Sequence, residues 1–257
     1  MILPRNQSGT AFEKGLCWTL YGYYETDLIR FFEYVPYADR NRCGFSPKLL
    51  DLILRVCGYM DDVFKQMRDF PDFMKFDKSR DAIEKAWWET DKNGKKVEKD
   101  YSIFVARDAF ESIYELSSNS GAELVAKSSW YGEIPLRPFE KFDRSKYGAH
   151  IVPDWWMAYN DLKHEWSSSI EKANVDNALN ALAGAFLLNV VHYPSVKYLW
   201  SQEVLIPETK THWGYDHKAF FSTDIDEDMK DAIEKMSRLH FGHKVETPLF
   251  RYRYQKP

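Results

Sequence analysis

Between Ala178 and Val191 the chain carries apolar residues on nearly every face of a would-be helix. A helix that is apolar all round cannot lie at a surface; other elements must enclose it. The segment does not read as a membrane span, because Gly184 and Asn189 interrupt it and a bilayer core needs about 20 apolar residues. It therefore predicts a mainly α fold, a helical bundle whose central element runs over about 171–192 and ends before Pro194.

The enclosing helices are legible from 3.6-residue spacing. Trp18 to Tyr34 places Leu20, Tyr24, Leu28 and Phe31/Phe32 about one turn apart. Ser46-Pro47 is a strong start signal, since Ser caps a helix and Pro fits its first turn. From there Leu49, Ile53, Val56/Cys57, Met60, Val63/Phe64 and Met67 keep one stripe over about five turns. Weaker helical spacing covers 75–90, and Ser102 to Leu116 reads as helix. Asp91-Lys-Asn-Gly94 is a turn signal; Trp87-Trp88 and Val97 on either side form a short hairpin or a solvated loop. Residues 117–152, with three Gly and two Pro, read as irregular, 198–223 as extended, Asp224 to Leu239 as helix, and 244–257 as an edge strand. Small extended or β additions are thus expected near 87–100 and at the C-terminus. The whole, 1–257, reads as a single domain with insertions at 75–100 and 117–152 and a mixed C-terminal extension, 194–257.

A net charge of −4 argues against a protein coated in basic charge for wrapping duplex nucleic acid. Three cysteines without CxxC spacing read as free thiols in a reducing compartment. The N-terminal MILPRNQSGTAFEKG has no apolar core of signal-peptide length, so a cytoplasmic location is expected. No P-loop, dinucleotide-binding glycine turn, serine-nucleophile elbow or His-Glu-x-x-His is present.

The chemistry-bearing segment is Pro153-Asp-Trp-Trp-Met-Ala-Tyr-Asn-Asp-Leu-Lys-His-Glu-Trp166. On a helical wheel Trp155, Tyr159, Leu162 and Trp166 form a packing stripe. Trp156, Asn160, Lys163, His164 and Ser167 form the neighbouring one. Asn160 and His164 stand one turn apart, close enough to interact. An imidazole can act as general acid or base near neutral pH, an amide can orient a hydroxyl or phosphate oxygen, and an ammonium can counter charge on phosphate. Trp156 would offer a face for stacking a base. The plainer alternative is a half-buried His on a polar seam. Asn174, Asn177 and Asn180 open the next helix and face a partner, or merely cap it.

The run WWMAYNDLKHEW, a polar turn, and KANVDNALNALAGAFLL resembles the helical pair of HEPN-like domains, over 153–192 closely and over 18–35 and 46–70 more loosely. The resemblance implies an all-helical bundle with a central antiparallel helix pair, about 153–166 and 171–192. It implies a homodimer or larger homo-oligomer and a place among prokaryotic antiphage defence and toxin proteins that bind or cut RNA, in some cases beside a partner protein; the short apolar run argues separately for no membrane partner. The family's motif is an Arg, a polar residue, a few further residues and a His. Asn160 and His164 match the last two elements; Tyr159 stands where the Arg is expected. Two functions follow. The first is a metal-independent endoribonuclease with His164, Asn160, Lys163 and Tyr159 in the site and Trp156, Arg144 and Asn174 contacting RNA or a nucleotide. The alternative is a catalytically silent module for oligomerisation, partner binding or ligand sensing.

No cofactor and no metal are expected. His212, His217, His240 and His243 have partly ligand-like spacing, but a long stretch divides the two pairs and no Cys lies near. Arg251 and Arg253, between Phe250, Tyr252 and Tyr254, read as charges that blunt an edge strand.

Overall fold

A computed structural model describes residues 11–12, 14–70, 76–128, 132–207 and 243–254. The expected helix at 224–239 and the histidines at 212, 217 and 240 lie outside them.

The apolar run is the centre of a helical bundle. Helix α7 (Val175–Val191) buries every residue from Ala181 to Val190, and α1 (Leu16–Phe32), α2 (Pro47–Asp69), α6 (Asp154–Ser169) and α8 (Tyr193–Ser201) pack against it. Ser46 caps α2, its Oγ accepting from the Leu49 N–H at 3.2 Å. The expected stripe from Leu49 to Met67 is buried. The central helix begins four residues later than its sequence spacing suggests. Residues 170–172 form a 3-10 turn, and Asn174 caps α7 by accepting from the Asn177 N–H at 2.9 Å. Pro194 does not simply terminate a helix; it sits in the first turn of α8, where a missing N–H costs nothing. Residues 198–201, expected to be extended, are therefore helical.

Helices α3 (Phe76–Trp87) and α4 (Ile103–Tyr114) pack on each other and are joined by the hairpin β1 (Trp88–Thr90)–β2 (Lys96–Glu98). Asp91 Oδ1 accepts from the N–H groups of Asn93 and Lys95, both at 2.8 Å, and Gly94 has φ +77°, so the Asp-Lys-Asn-Gly signal makes the turn.

The stretch 117–152 is not irregular throughout. It contains β3 (Ala122–Ser128), β4 (Gly132–Pro135) and a one-turn helix α5 (Arg144–Tyr147). With β5 (Leu205–Pro207), β6 (His243–Glu246) and β7 (Phe250–Tyr254), the two strands form a five-stranded antiparallel sheet in the order β4-β3-β7-β6-β5. The presumed insertion and the presumed extension thus share one sheet. Strand β7 is its middle strand, not an edge. Phe250 and Tyr252 face the core, and Arg251 on the other face pairs with Glu133 and Glu123 on the neighbouring strands. Arg251, which looked like edge protection, serves cross-strand pairing.

The sheet is fastened to the bundle through α1. Phe186 of α7 stacks between Tyr21 and Phe250, with ring centroids 5.6 and 5.4 Å away. Glu25, 5% exposed, accepts from the Thr247 hydroxyl and from the Leu249 N–H at 3.0 Å, tying the β6–β7 turn to α1. Glu25→Ala leaves the Leu249 N–H unpaired in the core and the Thr247 hydroxyl with only a long contact to the Phe250 carbonyl, and should lower stability by about 2–3 kcal/mol. Glu25→Gln keeps the acceptor and should lose less than half of that. Equal losses in urea titrations of the two variants would assign the effect to charge instead of the acceptor.

Candidate functional site

Helix α6 is wedged against both α2 and α7, and this double packing decides what its side chains can do. Trp155 is 2% exposed; its Nε1 donates to the Pro138 carbonyl at 2.7 Å and its ring meets Phe139 edge-on at 5.6 Å. Leu162 is buried, as the packing stripe requires. Trp166 is not: it is 59% exposed. The helix breaks at Glu165 (φ −140°, ψ 47°), so the 3.6-residue period is lost one residue before Trp166 and the ring swings off the stripe.

Trp156 departs from expectation in the opposite sense. It is 5% exposed, lodged between Trp155 and Tyr159 with centroids 5.7 and 5.2 Å away, and offers no face for a base. Asn174 is spent as the α7 cap, and its amide donates to the Glu171 carbonyl at 3.1 Å. Asn177 and Asn180 likewise donate to the carbonyls of Lys172 and Asp176, both at 2.9 Å, so the asparagine series serves its own backbone. Arg144 turns to α4, where its Nη1 meets Asp108 Oδ2 at 3.3 Å.

Tyr159, Asn160, Lys163 and His164 remain. Tyr159, in the position of the motif's Arg, is 6% exposed and points inward beside Asp61 of α2. Burial, and then the Asp61 charge, push its phenol up to about 12, so it stays protonated at neutral pH. Lys163 Nζ lies 5.5 Å from the Tyr159 ring centroid, in cation–π range. Asn160 and His164 project from the outer face beside Met157, and all three are exposed. One amide, one imidazole and one ammonium therefore share a convex, solvated surface. Water screens charges on such a surface.

Asp61 was missed from the sequence. Burial raises its carboxyl pKa; the Tyr101 hydroxyl facing it, and then the charges of Lys65 and Lys163, act against that shift. Its only signal was an Asp61-Asp62 pair interrupting the apolar stripe of α2.

No family model, curated protein or solved structure matches the chain. Among the described residues no group of three or more His, Cys, Asp or Glu side chains is placed to hold a metal ion, and no single helix is long and apolar enough to cross a membrane. Cys17 and Cys57 are buried, while Cys43 is exposed.

Proposed function

We propose that the chain is a catalytically silent HEPN-like module, of the kind found in prokaryotic defence and toxin systems, that pairs with a second copy through the outer face of α6. One observation carries this reading: at the position of the motif's Arg, Tyr159 is 6% exposed and packs inward, so it supplies no fixed positive charge to a phosphate. The outer face meanwhile presents Met157 (50% exposed) beside Asn160 and His164, and Trp166 (59% exposed) follows just past the break at Glu165. Exposed large apolar groups rimmed by polar ones are the usual make-up of a contact surface.

The test combines light scattering with cleavage of single-stranded RNA in EDTA. The expected result is a dimer that cuts no RNA. Met157→Glu places a charge in the pairing face and should weaken the dimer roughly 30-fold or more, the effect of losing about 2 kcal/mol at a hot spot. A monomeric parent protein would sink the pairing. The ribonuclease reading keeps one specific observation in its favour: Lys163 and His164 are adjacent and exposed beside Asn160. Metal-free cleavage that His164→Ala abolishes would replace the silent reading with that one.

A further inference from the structure

Two features of the molecule invite a ligand less than their composition suggests. The groove of about 470 Å³ at the start of α6 is lined by Arg42, Lys141, Asp154 and Asp176, but these charges satisfy one another: Arg42 is bidentate to Asp176, and Lys141 pairs with Asp154. The Asp61–Tyr101–Tyr159 cluster lies within helix packing. A third feature is different.

Helices α3 and α4 and the short α5 enclose a groove of about 560 Å³. Its apolar wall is Ala82, backed by the buried Ala86 and Phe142; its cations are Lys85, Lys99, Arg107 and Arg144. Three carboxylates also line it, yet only one serves the cations. Asp108 accepts from both Arg107 and Arg144. Asp143 is turned to its own chain, accepting from the N–H groups of Ser145 and Lys146 and from the Ser145 hydroxyl. Glu111 accepts from the Ser117 N–H and hydroxyl, one on each of its oxygens, and burial raises its pKa.

Two guanidinium groups thus share one carboxylate. Among the described residues Lys85 makes no ion pair, and Lys99 donates to the carbonyls of Lys85 and Ala86, at 3.3 and 3.1 Å. That last contact matters, because the carbonyl end of α3 would otherwise repel an anion; a full ammonium charge outweighs the roughly half charge of a helix C-terminus. Arg107 is buried at 2% exposure, its donors spent on Asp108 and the Ala149 carbonyl, so it contributes field, not contact. Arg144 is 55% exposed along its side chain, with one donor engaged at 3.3 Å and the rest of its fork open.

We infer that this groove binds a small organic phosphate, with the phosphoryl group between Lys85, Lys99 and Arg144 and the organic body along Ala82 and the methylene stems of Lys85 and Arg144. Guanidinium forks and lysine point charges are the side chains phosphate recognition uses, and the groove has the size of small-ligand sites. The site stands independently of the α6 face, since no residue of α6 lines it.

Calorimetric titration of the full chain with AMP tests the assignment, with adenosine and inorganic phosphate as companions. AMP should bind with a Kd below about 1 mM, more tightly than phosphate and far more tightly than adenosine. Lys85→Glu combined with Arg144→Glu should weaken AMP at least about tenfold. Both side chains are solvent-exposed, and Lys85→Gln alone, which leaves the Arg144–Asp108 contact in place, should still weaken AMP by about threefold. Lys92→Glu with Lys95→Glu, on the hairpin tip away from the groove, should change it little. Absence of AMP binding, equal binding of adenosine, or undiminished AMP binding in the groove variants would each overturn the site.

Discussion

Acidifying the protein from about pH 7 to about pH 4.5 will destabilise it steeply, and replacing His192 with phenylalanine will remove most of that dependence. His192 is 0% exposed, its ring centroid 4.4 Å from Phe12 and 6.2 Å from Tyr114, and the Phe70 backbone, which favours its charged form, only partly offsets that burial. Burial drives its pKa down to about 3 from an ordinary 6.5. A depressed folded-state pKa contributes stability that is present above the unfolded pKa and lost as pH falls through the interval to the folded one. The window therefore runs from about 6.5 down to about 3, at about 1.4 kcal/mol per pH unit, on the order of 4–5 kcal/mol in all. Glu25 acts in the opposite sense. Its pKa is raised by burial, so its contribution is full at low pH and declines as pH rises through its folded value. Urea midpoints of the parent and of His192→Phe at about pH 7 and about pH 4.5 isolate the histidine. Parallel acid slopes in the two proteins would show that His192 is not the acid-labile group.

Trp155→Ala should cost about 3–5 kcal/mol, the range for deleting a large aromatic from a packed core. The ring closes on Phe139 and Trp156, and its loss also orphans the Pro138 carbonyl, which holds the loop before α6. Trp155→Phe retains much of the packing but not the donor, and should lose about 1–3 kcal/mol. Trp166→Ala, one break further along the same helix, should cost less than about 0.5 kcal/mol, as exposed substitutions do. Denaturant titration of the three variants checks the order. Comparable losses at positions 155 and 166 would mean that the helix does not break at Glu165.

What could be read from the sequence was what is local. Ser46-Pro47 starts a helix through its own side chains, Asp91 to Gly94 turns on its own hydrogen bonds, and the apolar run of α7 needs no partner to declare itself central. Strand β3 was hidden because its partner is distant, with Ala126 opposite Phe250. The outer members of the candidate site, Asn160, Lys163 and His164, fell where a helical wheel puts them. Trp156 did not, because α6 is packed from two sides and buries a wider arc than a surface helix. Trp166 did not either, since neither Gly nor Pro marks the break at Glu165. Arg144 stands ten residues before α6 but belongs to α4 through Asp108, a pairing that chain order does not reveal.

The middle position of β7 has a consequence for synthesis. Of the five strands it is the last to be translated, yet it alone bridges the β3–β4 and β5–β6 halves of the sheet. Until residues 250–254 emerge, β3 presents an unpaired edge, an open template for other chains. Closing the sheet then requires contacts across more than a hundred residues, a search that slows folding. The bundle can assemble early from its local helices, whereas the sheet waits, and a nascent chain halted before β7 would carry a finished helical body with an adhesive flank.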